Sequence, residues 1–397
     1  MGNSKSVDQD AVLRARTTLL GSGRRSLREE VQAYRVLAQV SPRAYLGKLA
    51  TALVSYSYAR EFQGRPEIVF ALCAEAVEAA REIGVEEPQQ TEVLVRALGA
   101  YERELFAAGR REEGLAVCRE AADVGREGFE RGQAVSEGYG SERLGIVLAE
   151  EGRHEEAAEV FRREVGGSFW ELVSYAAELD ATGRARAASE VFGRLVDGHR
   201  RRLGSQEGSL AMTVSVLVQH ARLSGTVDAA AVWAEALGLL KELSEGGERR
   251  GWSGIIEYWS TLLALSARSL EPAGSPETPA PAYGTSALRW SPDVRSAWFA
   301  GLDGLEREAA DPHTDLARRA VAQHRLAVRS TLHHGNGSYR FEQTLQPLFD
   351  GSVALSQELG DPAWHARTLT DRATFRVAAY RYRDAYDDLR QAVELLE

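Results

Sequence analysis

Apolar and small residues recur along this chain at helical spacing, in charged, alanine-rich stretches joined by a Gly-Arg turn. LAEEGRHEEAAEVFRREV, residues 148–165, shows the arrangement, and FAAGRREEGLAVCREAA and DATGRARAASEVFGRLV repeat it. With Gly64, Gly109, Gly152, Gly183 and Gly225 as origins, the residues five places on are Val69, Gly114, Ala157, Ala188 and Ala230. Nine places on stand Cys73, Cys118, Phe161, Phe192 and Ala234, the last beside Trp233. Seven places before each glycine come Ser57, Glu102, Gly145, Ala176 and Val218, and eight before come the larger Tyr56, Tyr101, Leu144, Tyr175 and Leu217. Small positions let two helix backbones approach, and bulky neighbours fill the space beside them. Glycine at the joint lets the chain reverse. The pattern predicts antiparallel helix pairs; no period-two alternation competes with it, so an all-α chain is expected.

This arrangement resembles the tetratricopeptide repeat (TPR) family, whose pairs carry a large and a small residue on the first helix and an alanine and an aromatic on the second. In SERLGIVLAEEGRHEEAAEVFRREV, Leu144, Gly145, Gly152, Ala157 and Phe161 stand at the family positions. HARTLTDRATFRVAAYRYRDAYDDLRQAVELLE matches through Ala373, Ala385, Leu389 and Ala392, with Tyr380 in place of the turn glycine. The likeness covers most of residues 45–245 and 340–397. Successive glycines lie 45, 43, 31 and 42 residues apart, against a family period of about 34, so the units are TPR-like. The resemblance implies an α-solenoid of stacked antiparallel helix pairs. AYRVLAQVSPRAYLGKLATAL is similar to the sensor arrays attached to bacterial signal-transduction ATPases, although no ATPase motif accompanies it.

Four segments are expected. Residues 1–25 form a basic N-terminus, flexible or partly helical. Ser26, followed by Glu29 and Glu30, suits a helix start and opens a TPR-like array over residues 26–270. EPAGSPETPAPAYGTS, residues 271–286, holds Pro272, Pro276, Pro279 and Pro281 and reads as an exposed connector. Residues 287–397 form a C-terminal helical segment ending in one clear repeat. All the tryptophans follow residue 169; Trp252 and Trp259 share a helix face and are expected to pack the C-terminal segment onto the array.

Composition narrows the function. Hydrophobic residues make up 44% of the 397 positions and charged residues 27%, the balance of a folded domain. A net charge of -10 disfavours nonspecific attraction to nucleic acid or anionic lipid. No apolar run approaches the roughly 18 residues that would suggest a membrane span, and charge interrupts any hydrophobic signal core near the start. A cytoplasmic protein with no membrane partner is expected. MGNSKS fits a short myristoylation pattern through Gly2 and Ser6. Only Lys5, Lys48 and Lys241 among 48 basic residues are lysine, however, an arginine bias associated with GC-rich bacterial coding.

Chemical motifs are missing. GSGRRS at 21–26 lacks the spacing and lysine of a phosphate-binding loop, and no G-x-S-x-G occurs. The histidines are not spaced as zinc ligands; His333 and His334 are adjacent and point about 100° apart on a helix. Cys73 and Cys118 occupy a core-filling position, where free cysteine acts as a small hydrophobe. No cofactor or metal is expected, and no catalysis.

The TPR resemblance places groove-facing residues six before each turn glycine, at Tyr58, Arg103, Ile146, Ala177 and Gln219. A second set falls thirteen before, at Thr51, Arg96, Tyr139, Trp170 and Met212. The asparagine and lysine with which some family members clamp a peptide carboxylate are absent. Tyr58, Arg96, Arg103, Tyr139 and Trp170 are the candidate partner-binding residues, suited to a protein or an acidic peptide; read alone, they are exposed arginines and packed aromatics. The expectation is a regulatory scaffold. Two alternatives stand beside it: a DNA-associated regulator acting through the basic N-terminus, and an enzyme with a site in 287–397 around His313, His324 or Asp311.

Overall fold

A computed structural model describes residues 8–21, 25–164, 166–248, 254–334 and 341–396; Gly2 and Ser6 fall outside them. Among the described residues every regular element is helical. The chain gathers into two compact units, residues 1–145 with 291–293, and residues 146–290 with 294–397. The Pro-rich stretch therefore lies inside the second unit.

Unit 1 contains α1 (Gln9–Leu20), α2 (Leu27–Val40), α3 (Pro42–Ser57), α4 (Pro66–Arg81), α5 (Gln90–Ala107) and α6 (Arg111–Glu130), and α7 (Glu142–Glu150) runs across the boundary. Ser26 caps α2 as expected: its backbone N–H donates to Glu29 Oε2 at 3.0 Å while its Oγ accepts from the Glu29 N–H at 3.3 Å, satisfying two helix-end donors. From α1 to α6 each helix packs on the next, and α3 also touches α5. Ala50, Leu53, Ala76, Ala97 and Leu98 are sealed in one core. Cys73 and Cys118 sit in the interior at 1% exposure, and burial pushes the Cys73 thiol up. The basic N-terminal segment is partly helical, α1 packing on α2 through Ala15, Ala33 and Leu37.

Unit 2 contains α8 (His154–Glu164), α9 (Phe169–Ala181), α10 (Ala185–Gly204), α11 (Leu210–Leu223), α12 (Gly225–Gly246) and α13 (Ile255–Ala267). After the Pro-rich stretch come α14 (Pro292–Ala300), α15 (Leu302–Ala310), α16 (Leu316–His334), α17 (Phe341–Leu359), α18 (Pro362–Ala378) and α19 (Tyr382–Leu396). Neighbours pack in sequence from α8 to α12. The chain's last pair then takes the next place: α19 lies on α12, and α18 touches α11. Helix α13 touches α11, α16 and α18. Its Trp259, 1% exposed, packs near Phe349 and Phe375 and donates to Thr374 Oγ1 at 3.1 Å.

The repeated joints share one geometry. Gly109, Gly152 and Gly183 take left-handed φ values of +70°, +72° and +75°. The following N–H reaches back to the carbonyl five residues earlier: Arg110 to Leu105, Arg153 to Leu148 and Arg184 to Leu179, each at 2.9 Å. This is the helix-ending turn that glycine permits. Tyr380 does the same at φ +60°, with the Arg381 N–H on the Arg376 carbonyl at 2.8 Å. The arginine after the joint has its own use. Arg110, Arg153 and Arg381 each pair with an acid three residues on, Glu113, Glu156 and Asp384, in the first turn of the second helix.

Two expectations need correction. In the α11–α12 pair the joint is Ser224, and Gly225 is already helical. Ala229 and Trp233 are buried at 7% and 8%, whereas Ala230 and Ala234 are exposed. The register starts one residue earlier, because no left-handed residue is inserted at this joint. The Pro-rich stretch is non-helical as expected, but only its first half is exposed; residues 281–287 are buried.

Gly152 and Gly183 separate two costs of losing a joint glycine. A Cβ on Gly183 meets nothing within 4 Å, whereas one on Gly152 would stand 2.3 Å from the Gly274 carbonyl oxygen. Gly183→Ala should cost about 1–2 kcal/mol for the left-handed backbone alone, and Gly152→Ala clearly more. Tyr380→Gly should be neutral or stabilising by up to about 1 kcal/mol. Urea unfolding of the three variants checks the order.

Candidate functional site

The register positions assigned to a groove have opposite fates in the two units. In unit 1 three of the five, Tyr58, Arg96 and Arg103, face solvent, and Thr51 and Tyr139 are half-buried. Tyr58, at the end of α3, is 57% exposed, and Arg96 and Arg103 are exposed on α5. Arg103 donates to the Tyr58 hydroxyl and lies over its ring, 5.0 Å from the centroid. Arg96 stands two helical turns away, about 10 Å along the axis, paired with Glu92 at 2.7 Å. Tyr139 is half-buried close to both: the Glu92 charge raises its hydroxyl pKa after burial does, and Arg96 opposes them. The loop carrying Tyr139 rests directly on α6, where a Cβ on Gly125 would overlap the Tyr139 carbonyl; only glycine leaves room there.

In unit 2 the same positions are covered. Ile146, Ala177, Gln219 and Met212 are exposed by 0%, 1%, 4% and 1%. Trp170 is not on an open wall either: its ring packs on Tyr258 of α13 at 4.7 Å and on Phe169 at 5.0 Å. The cover is the chain itself. Ala280 donates to the Glu150 carbonyl at 2.9 Å, Ser174 Oγ donates to the Gly284 carbonyl at 3.2 Å, and Gly284 approaches α9 so closely that a Cβ would touch Ala177. Arg268, just after α13, donates to the Ala177 carbonyl at 2.7 Å and to Asp180. Thus Tyr58 meets Arg103 and Arg96 lies near Tyr139, while Trp170 belongs to a filled face of the other unit.

Both ends of the covering segment are fixed. Glu271, with its side chain 1% exposed, accepts from Arg325 and Arg329 of α16, each at 2.6 Å. Arg329 also donates to the Trp298 carbonyl at 3.0 Å and stacks 3.8 Å above that indole. At the other end the Trp290 indole N–H donates to the Ala282 carbonyl at 3.3 Å. Sequence reading passes over Glu271, because its arginines lie more than fifty residues away. The one local hint is charge within apolar helix faces, since buried arginines need partners.

Two of the histidines are tied to buried carboxylates. His324, buried on α16, is 2.7 Å from Asp371 of α18, whose other oxygen accepts from Arg222 at 2.6 Å. Burial pushes the Asp371 carboxyl up, but Arg222, His324 and Arg367 together hold it below the ordinary carboxylate range. His154 bonds Glu178 at 2.7 Å, and burial raises that carboxyl against the pull of His154. Asp311 caps a turn, accepting from the His313 N–H at 2.9 Å and from Thr314. His333 is exposed at the end of α16, and the His334 side chain lies outside the described residues. Among the described residues no three histidine, cysteine or carboxylate side chains could share a metal ion. No described helix is long and apolar enough to cross a membrane. No family model matches the sequence, and no curated protein matches it.

Glu271→Gln should destabilise the protein by roughly 3–5 kcal/mol, since two buried guanidinium groups lose their counter-charge. Limited proteolysis should then cut within 272–280 in the variant before it does so in the parent. A second outcome concerns pH. Burial, and to a lesser degree Arg202, lowers His199 from 6.5 to about 4. Between those values the unfolded chain binds more protons, so stability is present above pH 6.5 and falls as pH drops toward 4, by about 3 kcal/mol in all. His199→Gln should flatten the unfolding free energy across that window.

Proposed function

We propose that this protein is a non-catalytic binding scaffold built on a TPR-like solenoid plan. The first-helix face of unit 1, carrying Tyr58, Arg96 and Arg103 with Tyr139 beside them, would receive a protein or peptide of acidic character. One observation carries this reading: of the groove-register positions, Tyr58, Arg96 and Arg103 are exposed in unit 1, whereas Ile146, Ala177, Met212 and Gln219 are buried in unit 2. The reading is supported by the irregular, Pro-containing stretch of the chain that lies across α9 with a hydrogen bond to its backbone and close approach at small residues. Stiff helical surfaces of this type suit extended peptides, whose ordering cost is low when proline already restricts them.

The charges favour an acidic partner. The Arg96–Glu92 pair is solvent-exposed on both sides, so it contributes at most about 1 kcal/mol and an incoming carboxylate can displace Glu92. Arg103 presents its guanidinium over an exposed tyrosine ring, an arrangement that offers an apolar platform and a cation together. As a scaffold the protein needs no reacting group, and its role would be to hold a regulator or enzyme in place.

Fluorescence polarisation tests this with a labelled extended peptide containing glutamate, proline and one aromatic residue, and a lysine-substituted counterpart. The acidic peptide should bind, weakening as salt rises. The double variant Arg96→Glu, Arg103→Glu should bind it at least about tenfold more weakly with unchanged thermal unfolding. Equal binding of both peptides, or none by either, removes the reading.

A further inference from the structure

A cavity of about 380 Å³ opens within unit 2 among α9, α11, α12, α13, α18 and α19, within the size range of small-molecule sites. Its walls carry three arginines from separate parts of the chain: Arg222 of α11, Arg268 just after α13, and Arg367 of α18. Two are matched by acids, Arg222 by Asp371 at 2.6 Å and Arg268 by Asp180 at 2.5 Å. Arg367 is not. Among the described residues no carboxylate lies within ion-pair distance of it; it donates to the Ser266 carbonyl, stands 5.7 Å from the Trp364 ring centroid, and leaves its buried Nε without a partner.

A half-buried guanidinium whose nearest carboxylate is already bonded by Arg222 and His324 is poorly compensated, and a buried N–H without an acceptor is costly. Both costs vanish if an anion enters, since a carboxylate or phosphate accepts two parallel N–H bonds from an arginine fork. The rest of the wall sets what the anion is attached to. Trp233 and Leu223 offer apolar surface, and Gln219 and Thr370 offer neutral hydrogen-bonding groups. Gln219 is 4% exposed and Thr370 2%. We infer that this cavity binds a small organic anion, its carboxylate or phosphate on Arg367 and its apolar body against Trp233. The site is independent of the exposed face proposed above, and its occupant would tie α11 and α13 to α18, joining the final helix pair to the array.

Isothermal titration of the full chain, with tryptophan emission followed in parallel, tests the inference using phenyl phosphate, benzoate, inorganic phosphate and the neutral benzamide. At least one of phenyl phosphate and benzoate should bind saturably at one site per chain and raise the unfolding temperature, and the tighter of the two identifies the headgroup. Benzamide should not bind. Arg367→Met should weaken binding at least about tenfold, the loss expected for a charge-assisted pair. Ala363→Phe, a change at the exposed rim, should obstruct entry while the unliganded protein unfolds as the parent does. Absence of saturable binding of either organic anion to the parent protein would overturn the proposal. So would unchanged affinity in Arg367→Met, or inorganic phosphate binding as tightly as phenyl phosphate.

Discussion

The fold depends on how closely two antiparallel helices can lie once the chain has reversed between them. At Gly152 and Gly183 a left-handed residue ends the first helix within one turn, and its neighbours satisfy the last carbonyls. Only a reversal this tight brings Ala176 and Ala188 into the interior at 0% exposure, with Phe192 filling the space beside them at 0%. A longer loop would set the second helix at another height, and small residues would then face each other across a void. After Gly152 the arginine reinforces the turn by pairing with an acid in the next helix, Arg153 with Glu156.

Repetition of that joint leaves one face of the first helices without a partner, and the two units treat it differently. In unit 2 the face takes residues 255–290, held by Arg268 on α9 and by Glu271 between two arginines. Such a cover brings charge inside, and each buried charge must find a counter-charge or destabilise the fold. Asp371, Glu271 and Asp180 supply most of this compensation. Arg367 has no acid of its own within ion-pair distance among the described residues, and it lines a cavity. In unit 1 three of the corresponding side chains, Tyr58, Arg96 and Arg103, are long and exposed. Their contacts with one another and with Glu92 therefore contribute little to the fold.

Much of this was legible in the residue order, because helix formation, capping and small-residue nesting are local. Periodicity found the helix pairs, Ser26 with Glu29 marked a helix start, and Cys73 and Cys118 fell where core fillers belong. The Ser224 joint was misplaced by one residue, since a glycine that opens a helix looks in sequence like a glycine that ends one. Tertiary structure alone decided which faces stay open. The covering of Trp170 by Tyr258, the return of α19 to α12, and the meeting of Arg222, Arg268 and Arg367 join positions far apart in the chain. No local spacing encodes such meetings; they follow from packing, which selects among surfaces that look alike until the whole chain has folded.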